Sequence, residues 1–269
     1  RVEKDVTFLA PDRKEKCDLY LPAPHRPGER FPAIVVIHGG GWKRFDKAEP
    51  REKNIACNLA GHGYLCMSIN YFLGAKNETP WPRNLLDCKT AVQFLRVSAD
   101  KYPIDTGHIG VIGGSAGGHL SAMVGVVDSD PGLEPDQPYP KVSTRVQAVV
   151  NMYGVNNLEA HYSKPEEETA FRKVTNVIPQ SEWKRASPLS HVSRNDPPML
   201  LIHGTDDDTV PHQQSIELHE ALMKQGVASE CVILDGAPHS FHLQPKQRDL
   251  RPLVFGFFDR YLRPNPSLR

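Results

Sequence analysis

The chain has 269 residues and a mass of 30.0 kDa, enough for one large domain with a substantial core. Lys+Arg and Asp+Glu both number 32, so no basic surplus points to nucleic acid or an anionic membrane as partner. No apolar run approaches the roughly 20 residues of a membrane-spanning helix.

Taken in chain order, residues 2–9 and 16–21 alternate as an antiparallel pair around a turn near Pro11 and Asp12. Strand-like and helix-like segments then follow one another. The strands are expected at 33–37 (AIVVI), 65–70 (LCMSIN), 108–112 (HIGVI), 146–152 (VQAVVNM), 199–202 (MLLI) and 231–234 (CVIL). Short and continuously apolar, they fit strands buried on both faces of a parallel sheet. Helices are expected at 51–60, 83–99, 117–127, 212–225 and 247–262, with Leu85, Leu86, Cys88, Val92 and Leu95 spaced for a helix facing a sheet. This alternation predicts an α/β class, a doubly wound and mostly parallel sheet with right-handed crossovers. The polar stretch 155–197 is too long for an ordinary connection and reads as a small lid or helical excursion, its Glu166–Glu168 cluster a solvated helix face. The whole, 1–269, then forms one domain. The five cysteines (Cys17, Cys57, Cys66, Cys88, Cys231) show no CxxC or metal spacing, and Cys66, Cys88 and Cys231 read as buried thiols.

Two motifs carry chemistry. The stretch GGSAG, 113–117, has the G-x-S-x-G pattern between a strand and a helix, the setting of a nucleophile elbow that holds Ser115 out at the carboxyl end of the sheet. A serine hydroxyl needs a base, and the base an orienting acid. The strand MLLI leads into HGTDDDTVP (203–211), with Asp206, Asp207 and Asp208, and CVIL leads into DGAPHSF (235–241), with His239. The order serine, acid, histidine is that of the elbow enzymes. His242 competes with His239. Three consecutive glycines follow the first buried strand in HGGGW, 38–42. Acyl transfer develops charge on a carbonyl oxygen, which free backbone N–H groups stabilise. Gly40, Gly41 and Ala116 are the expected donors, with the Trp42 N–H as a substitute, while His38 braces the loop. Nothing calls for a metal or organic cofactor, and the remaining histidines, His119 included, show no metal spacing.

HGGGW, GGSAGGHL, HGTDDDTVP and GAPHSF together resemble the α/β-hydrolase superfamily, in particular bacterial hormone-sensitive-lipase-like esterases and carbohydrate esterases of the acetyl xylan and feruloyl type. PRNLLDCKTAVQFLR and ASPLSHVSRNDPPMLLIHGTDD resemble the second group, so the likeness covers roughly 31–262. In such proteins the acid is the aspartate four residues after the motif's histidine, here Asp207. The resemblance implies a serine esterase without cofactor, acting through an acyl-enzyme on acetyl or feruloyl esters of plant polysaccharide. Trp42 and Trp81 are then expected as substrate walls, with Trp183 a weaker third. A kynurenine-formamidase-like amide hydrolase, an oligopeptidase, a lipase-like esterase and an inactive binding module are the alternatives. The resemblance, with Arg1 in place of an initiating Met, favours a secreted or periplasmic protein over a cytoplasmic one. The oligomeric state stays open.

Overall fold

The computed structural model describes residues 1–23, 28–74, 78–128, 130–159 and 177–263. Eight strands form one sheet: β1 (Val2–Val6), β2 (Cys17–Tyr20), β3 (Phe31–Ile37), β4 (Leu65–Ile69), β5 (Ile104–Gly114), β6 (Ala148–Met152), β7 (Met199–Asp206) and β8 (Ser229–Pro238). Their spatial order is β1-β2-β4-β3-β5-β6-β7-β8. The first two are antiparallel to each other, β2 is antiparallel to β4, and every later pairing is parallel. The expected N-terminal pair and the mostly parallel sheet are both present.

The α-helices among the described residues are α1 (Pro50–Gly61), α2 (Arg83–Val97), α3 (Ala116–Val126), α4 (Gln213–Lys224) and α5 (Arg251–Leu262). Side chains alternate across a strand, and β3 divides its residues accordingly. Ala33, Val35 and Ile37 join the core beneath α2, α3 and α4, while Ile34 and Val36 join the core beneath α1 and α5. All seven β3 residues are buried, which is why its sequence is apolar without a gap.

Helix α2 departs from a simple amphipathic helix. Eleven of its 15 residues are buried, because residues 127–128 and 130–145 cover the side turned away from the sheet. Lys89 Nζ donates to Val127 O at 2.6 Å and pairs with Glu134. Gln93 donates to Val142 O, and Arg96 to Ser143 O and Arg145 O. Polar residues that look like a solvent face thus tie the helix to its cover.

Of the stretch 155–197, residues 160–176, with the Glu166–Glu168 cluster, lie outside the described residues. The described parts contain two 3-10 turns, Gln180–Glu182 and Pro188–His191. One bond closes the stretch on itself, Leu158 N donating to Ser187 Oγ, and Asn156 ties it to α4, donating from its backbone N to Gln214 Oε1 and from Nδ2 to Gln214 O. All five cysteines are free, with Cys57 exposed.

Candidate active site

Strand length sets the site. The β7–β8 ladder continues past its apolar runs through His203↔Ile233 and Gly204↔Leu234 to Asp206↔Pro238. The next residue on each chain, Asp207 and His239, therefore emerges at neighbouring tips. Strand β5 ends at Gly114, and Ser115 follows at φ 57°, ψ −122°, before α3 begins at Ala116. That strained turn projects the hydroxyl toward the same rim. A Cβ on Gly117 would lie 2.0 Å from Ile37 O, so only glycine lets α3 pass the end of β3 this closely.

The three residues expected to act together meet. His239 Nε2 lies 3.0 Å from Ser115 Oγ, and His239 Nδ1 lies 2.6 Å from Asp207 Oδ2. A carboxylate only accepts, so Nδ1 carries the ring proton and Nε2 presents its lone pair to the serine. Of the three aspartates, Asp207 alone is enclosed, its side chain 1% exposed. Asp206 and Asp208 are exposed and accept from the hydroxyls of Thr205 and Thr209. His242 is exposed as well, and its Nδ1 accepts from Gln244 N.

Asp207 is held from every side. Its Oδ1 accepts the backbone N–H groups of Thr209 at 2.9 Å and Val210 at 2.7 Å, and its Oδ2 also lies 3.1 Å from His203 Nε2. Burial by itself would raise the carboxyl pKa. Hydrogen bonds from His203 and His239, and from the backbone, outweigh it and hold Asp207 below the usual carboxylate range. His203 Nε2 also faces Val210 O at 2.9 Å, so it carries the proton, and Nδ1 accepts from Ser215 Oγ at 2.8 Å. In the sequence His203 was only the start of a motif; its role depends on Ser215, twelve residues on.

The three glycines have separate reasons. A Cβ on Gly39 would lie 2.8 Å from both Gly114 O and the Arg51 guanidinium, and 3.3 Å from Ser115 Cβ, so this residue presses the loop against the elbow. Gly40 has φ +104° and would drive a Cβ to 2.2 Å from Arg44 O. Gly41 continues the left-handed run at φ +60°, followed by Trp42 at +58°. Among the described residues, the N–H groups of Gly40 and Gly41 donate to no backbone carbonyl. The Ala116 N–H stands in the first turn of α3, where helix N–H groups have no partner within the helix and the helix dipole favours negative charge. His38 is enclosed, stacks on Tyr71 at 4.2 Å, and has its Nδ1 2.7 Å from Gly39 O, which fits a brace. Burial lowers its pKa to about 4.

The tryptophans are a correction. Trp42 is 0% exposed, packed edge-on to His119 at 5.1 Å, and Trp81 is 4% exposed with Nε1 donating to Glu182. An enclosed indole offers no face to a sugar, so neither is a wall of an open site. Their position follows from His119, which is itself fully buried and donates from Nε2 to Ala186 O at 2.7 Å. Two further residues carried no motif. Tyr153, at φ +41°, sets its ring edge-on to His239 at 5.0 Å and donates to Phe241 O at 2.5 Å. Arg51 approaches the Tyr153 hydroxyl at 3.3 Å and pairs with buried Glu52.

The BD-FAE family model matches residues 17–222. The chain belongs to the BD-FAE family. Its fold is that of the α/β-hydrolase esterases, as the sequence motifs imply. Esterase LipC of Mycobacterium tuberculosis is 34% identical over 225 residues, covering 81% of this chain and 55% of LipC. The chain thus spans about half the length of the curated relatives it matches. A truncated form of a carbohydrate esterase from gut microbiota superposes with a TM-score of 0.83 at 27% identity, covering 97% of this chain and 95% of that one. Thermogutta terrifontis esterase 2, phosphonylated by sarin, superposes at 0.80 and 27% identity over 95% of this chain and 94% of its own. The same esterase with butyrate bound superposes at 0.78 and 28%, over 95% and 93%.

Proposed function

We propose that Ser115, His239 and Asp207 form a catalytic triad with Gly40, Gly41 and Ala116 as oxyanion donors, and that the chain hydrolyses short-chain acyl esters, acetyl or feruloyl, carried on plant polysaccharide. The observation that carries this reading is the continuous relay from Ser115 Oγ through His239 to Asp207, at 3.0 and 2.6 Å. Ser115 Oγ attacks the acyl carbonyl while its proton passes to His239 Nε2. The resulting oxyanion accepts from the loop and helix N–H groups. His239 then returns the proton to the departing alcohol oxygen, leaving the acyl group on Ser115. Water repeats the attack with His239 again as base, and the acid is released. Asp207, held ionised, keeps the imidazole in the tautomer that accepts at Nε2.

The butyrate-bound neighbour supports small acyl groups, and the carbohydrate-esterase neighbour supports a sugar on the alcohol side. The test is an acyl-chain series from p-nitrophenyl acetate to octanoate, with acetate release from acetylated xylan and turnover of N-formylkynurenine alongside. The expected result is acetyl faster than octanoyl, release from xylan, and loss of all turnover in Ser115→Ala with the fold retained. A preference for long chains without release from xylan moves the chain to the lipase-like branch, and faster cleavage of N-formylkynurenine makes it an amide hydrolase.

A further inference from the structure

The carboxyl rim of the sheet carries a hollow outside the Ser115–His239–Asp207 relay. It lies beside the glycine loop, has a volume of about 210 Å³, and is walled by His38, Lys14, Glu15, Phe45, Asn70, Tyr71 and Leu73. Topology fixes where it stands. His38 follows β3, Asn70 and Tyr71 follow β4, and Lys14 and Glu15 lead into β2, whose Cys17 pairs antiparallel with Ile69 at the end of β4. All of them therefore share the rim that bears Ser115. The sheet order β2-β4-β3-β5 puts the hollow one to three strands from the serine, and neighbouring strands are about 4.8 Å apart. The glycine loop is its shared wall: Gly39 faces Ser115, and the Phe45 ring edge lies 2.8 Å from where a Gly40 Cβ would be.

Its chemistry is mixed in a particular way. Asn70 uses its carbonyl oxygen to accept from Lys47 N at 2.7 Å, and its NH₂ has no partner among the described residues. The Lys14 ammonium is exposed and likewise without a partner among them. Glu15 binds Arg13 through Oε2 at 2.9 Å, which leaves Oε1 to accept. Beside these donors and this acceptor stands Phe45, 47% exposed and one of the few large apolar side chains left in solvent. Its backbone, at φ +75°, is strained to hold it there. Donors, an acceptor and one aromatic face around a small volume suit a ring whose hydroxyls both give and accept and whose C–H face is apolar. The volume lies below the roughly 300–1,000 Å³ of pockets for drug-sized ligands, in keeping with one sugar unit.

We propose that this hollow is a subsite for one sugar ring on the alcohol side of the ester, with Phe45 as stacking face and Lys14, the Asn70 amide and Glu15 as polar contacts. The inference rests on the ester hydrolysis proposed above. Its test has two arms. In the first, xylotriose, which carries no ester, is titrated into the Ser115→Ala protein by calorimetry, alone and combined with Phe45→Ala or Lys14→Leu. Binding is expected, weakened about fivefold or more by Phe45→Ala, in line with the loss of one aromatic contact. In the second, kcat/KM for acetylated xylotriose is divided by that for p-nitrophenyl acetate, and this ratio is expected to fall in both variants through KM. Lys14 is exposed, so Lys14→Leu keeps the test valid if Phe45→Ala unfolds. Absence of xylotriose binding, or binding and a ratio that neither variant moves, overturns the subsite. Xylotriose held at the hollow without any acetate release instead overturns the hydrolytic reading and leaves the subsite standing.

Discussion

Replacing Asp207 by asparagine changes one atom, and the structure says where that atom must go. Oδ1 faces two backbone N–H groups, those of Thr209 and Val210, so the amide oxygen has to take that position. The amide NH₂ then replaces Oδ2, facing His239 Nδ1 at 2.6 Å and the protonated Nε2 of His203 at 3.1 Å. Donor meets donor at His203. At His239 the NH₂ can be satisfied only if Nδ1 gives up its proton, which moves to Nε2 and points at Ser115. The imidazole can then no longer accept from the serine. The corresponding substitution in trypsin-like proteases lowers turnover by about 10⁴, equivalent to about 5.4 kcal/mol at 1.36 kcal/mol per tenfold. A loss of that order is expected in kcat/KM on p-nitrophenyl acetate, with the fold retained by circular dichroism. Asp206→Asn and Asp208→Asn, at exposed carboxylates, are expected to cost about tenfold or less. More than about 1% of activity left in folded Asp207→Asn, or an equal loss in either neighbour, would refute the reasoning.

Two further outcomes follow from packing and burial. Gly117→Ala brings a methyl to 2.0 Å from Ile37 O and 2.7 Å from His38 O; backbone cannot yield cheaply there, so a loss of about 3 kcal/mol or more in chemical denaturation is expected, and an unchanged midpoint would contradict the close approach. Burial holds His38 and His119 neutral, each with its pKa lowered to about 4, so the unfolded chain takes up protons from about pH 6.5 downward while the folded chain does not. Stability should therefore fall between pH 6.5 and 4 by up to roughly 3 kcal/mol per histidine and then level off; thermal melts of His119→Gln should show a shallower acid slope, and an unaltered slope would exclude this origin.

Much of the fold was legible because both faces of the sheet are buried. A doubly buried strand leaves an uninterrupted apolar run, and each of the six expected parallel strands overlaps its run, with β4 and β6 falling inside theirs. The ends were not legible. Strands β7 and β8 run on through polar residues to Asp206 and Pro238 because backbone pairing does not need apolar side chains. The relay was readable from spacing and chain order, since each member closes a different strand. What supports it was not: His203, Tyr153 and Arg51 act through partners far along the chain. The tryptophans misled for a related reason. A large aromatic beside a motif suggests a surface for substrate, but burial depends on what crosses above it, and here His119 and Glu182 enclose Trp42 and Trp81.

The strained residues show how such a site can be rigid in a protein of ordinary stability. Seven non-glycine residues among those described have positive φ, and five of them, Trp42, Phe45, Ser115, Tyr153 and Ser240, stand in loops at the carboxyl ends of strands. At about 1–3 kcal/mol each, their combined strain approaches the about 5–15 kcal/mol by which a typical domain is folded, so each needs support from outside its own loop. Ser115 N donates to Met152 O at the end of β6, and Tyr153 N donates to Ile202 O on β7. The Tyr153 hydroxyl then reaches Phe241 O, two residues beyond His239. On the other side, Trp42 O accepts from Gly74 N, beyond β4. These bonds tie the loop after β5 to the end of β6, the loop after β6 to β7 and to the loop after β8, and the loop after β3 to that after β4. Trp42, Ser115 and Tyr153 therefore cannot relax without breaking contact with another strand's end. Strain that local sequence rules disfavour is thus shared across the rim, and it fixes Ser115 and His239 relative to one another before any substrate arrives.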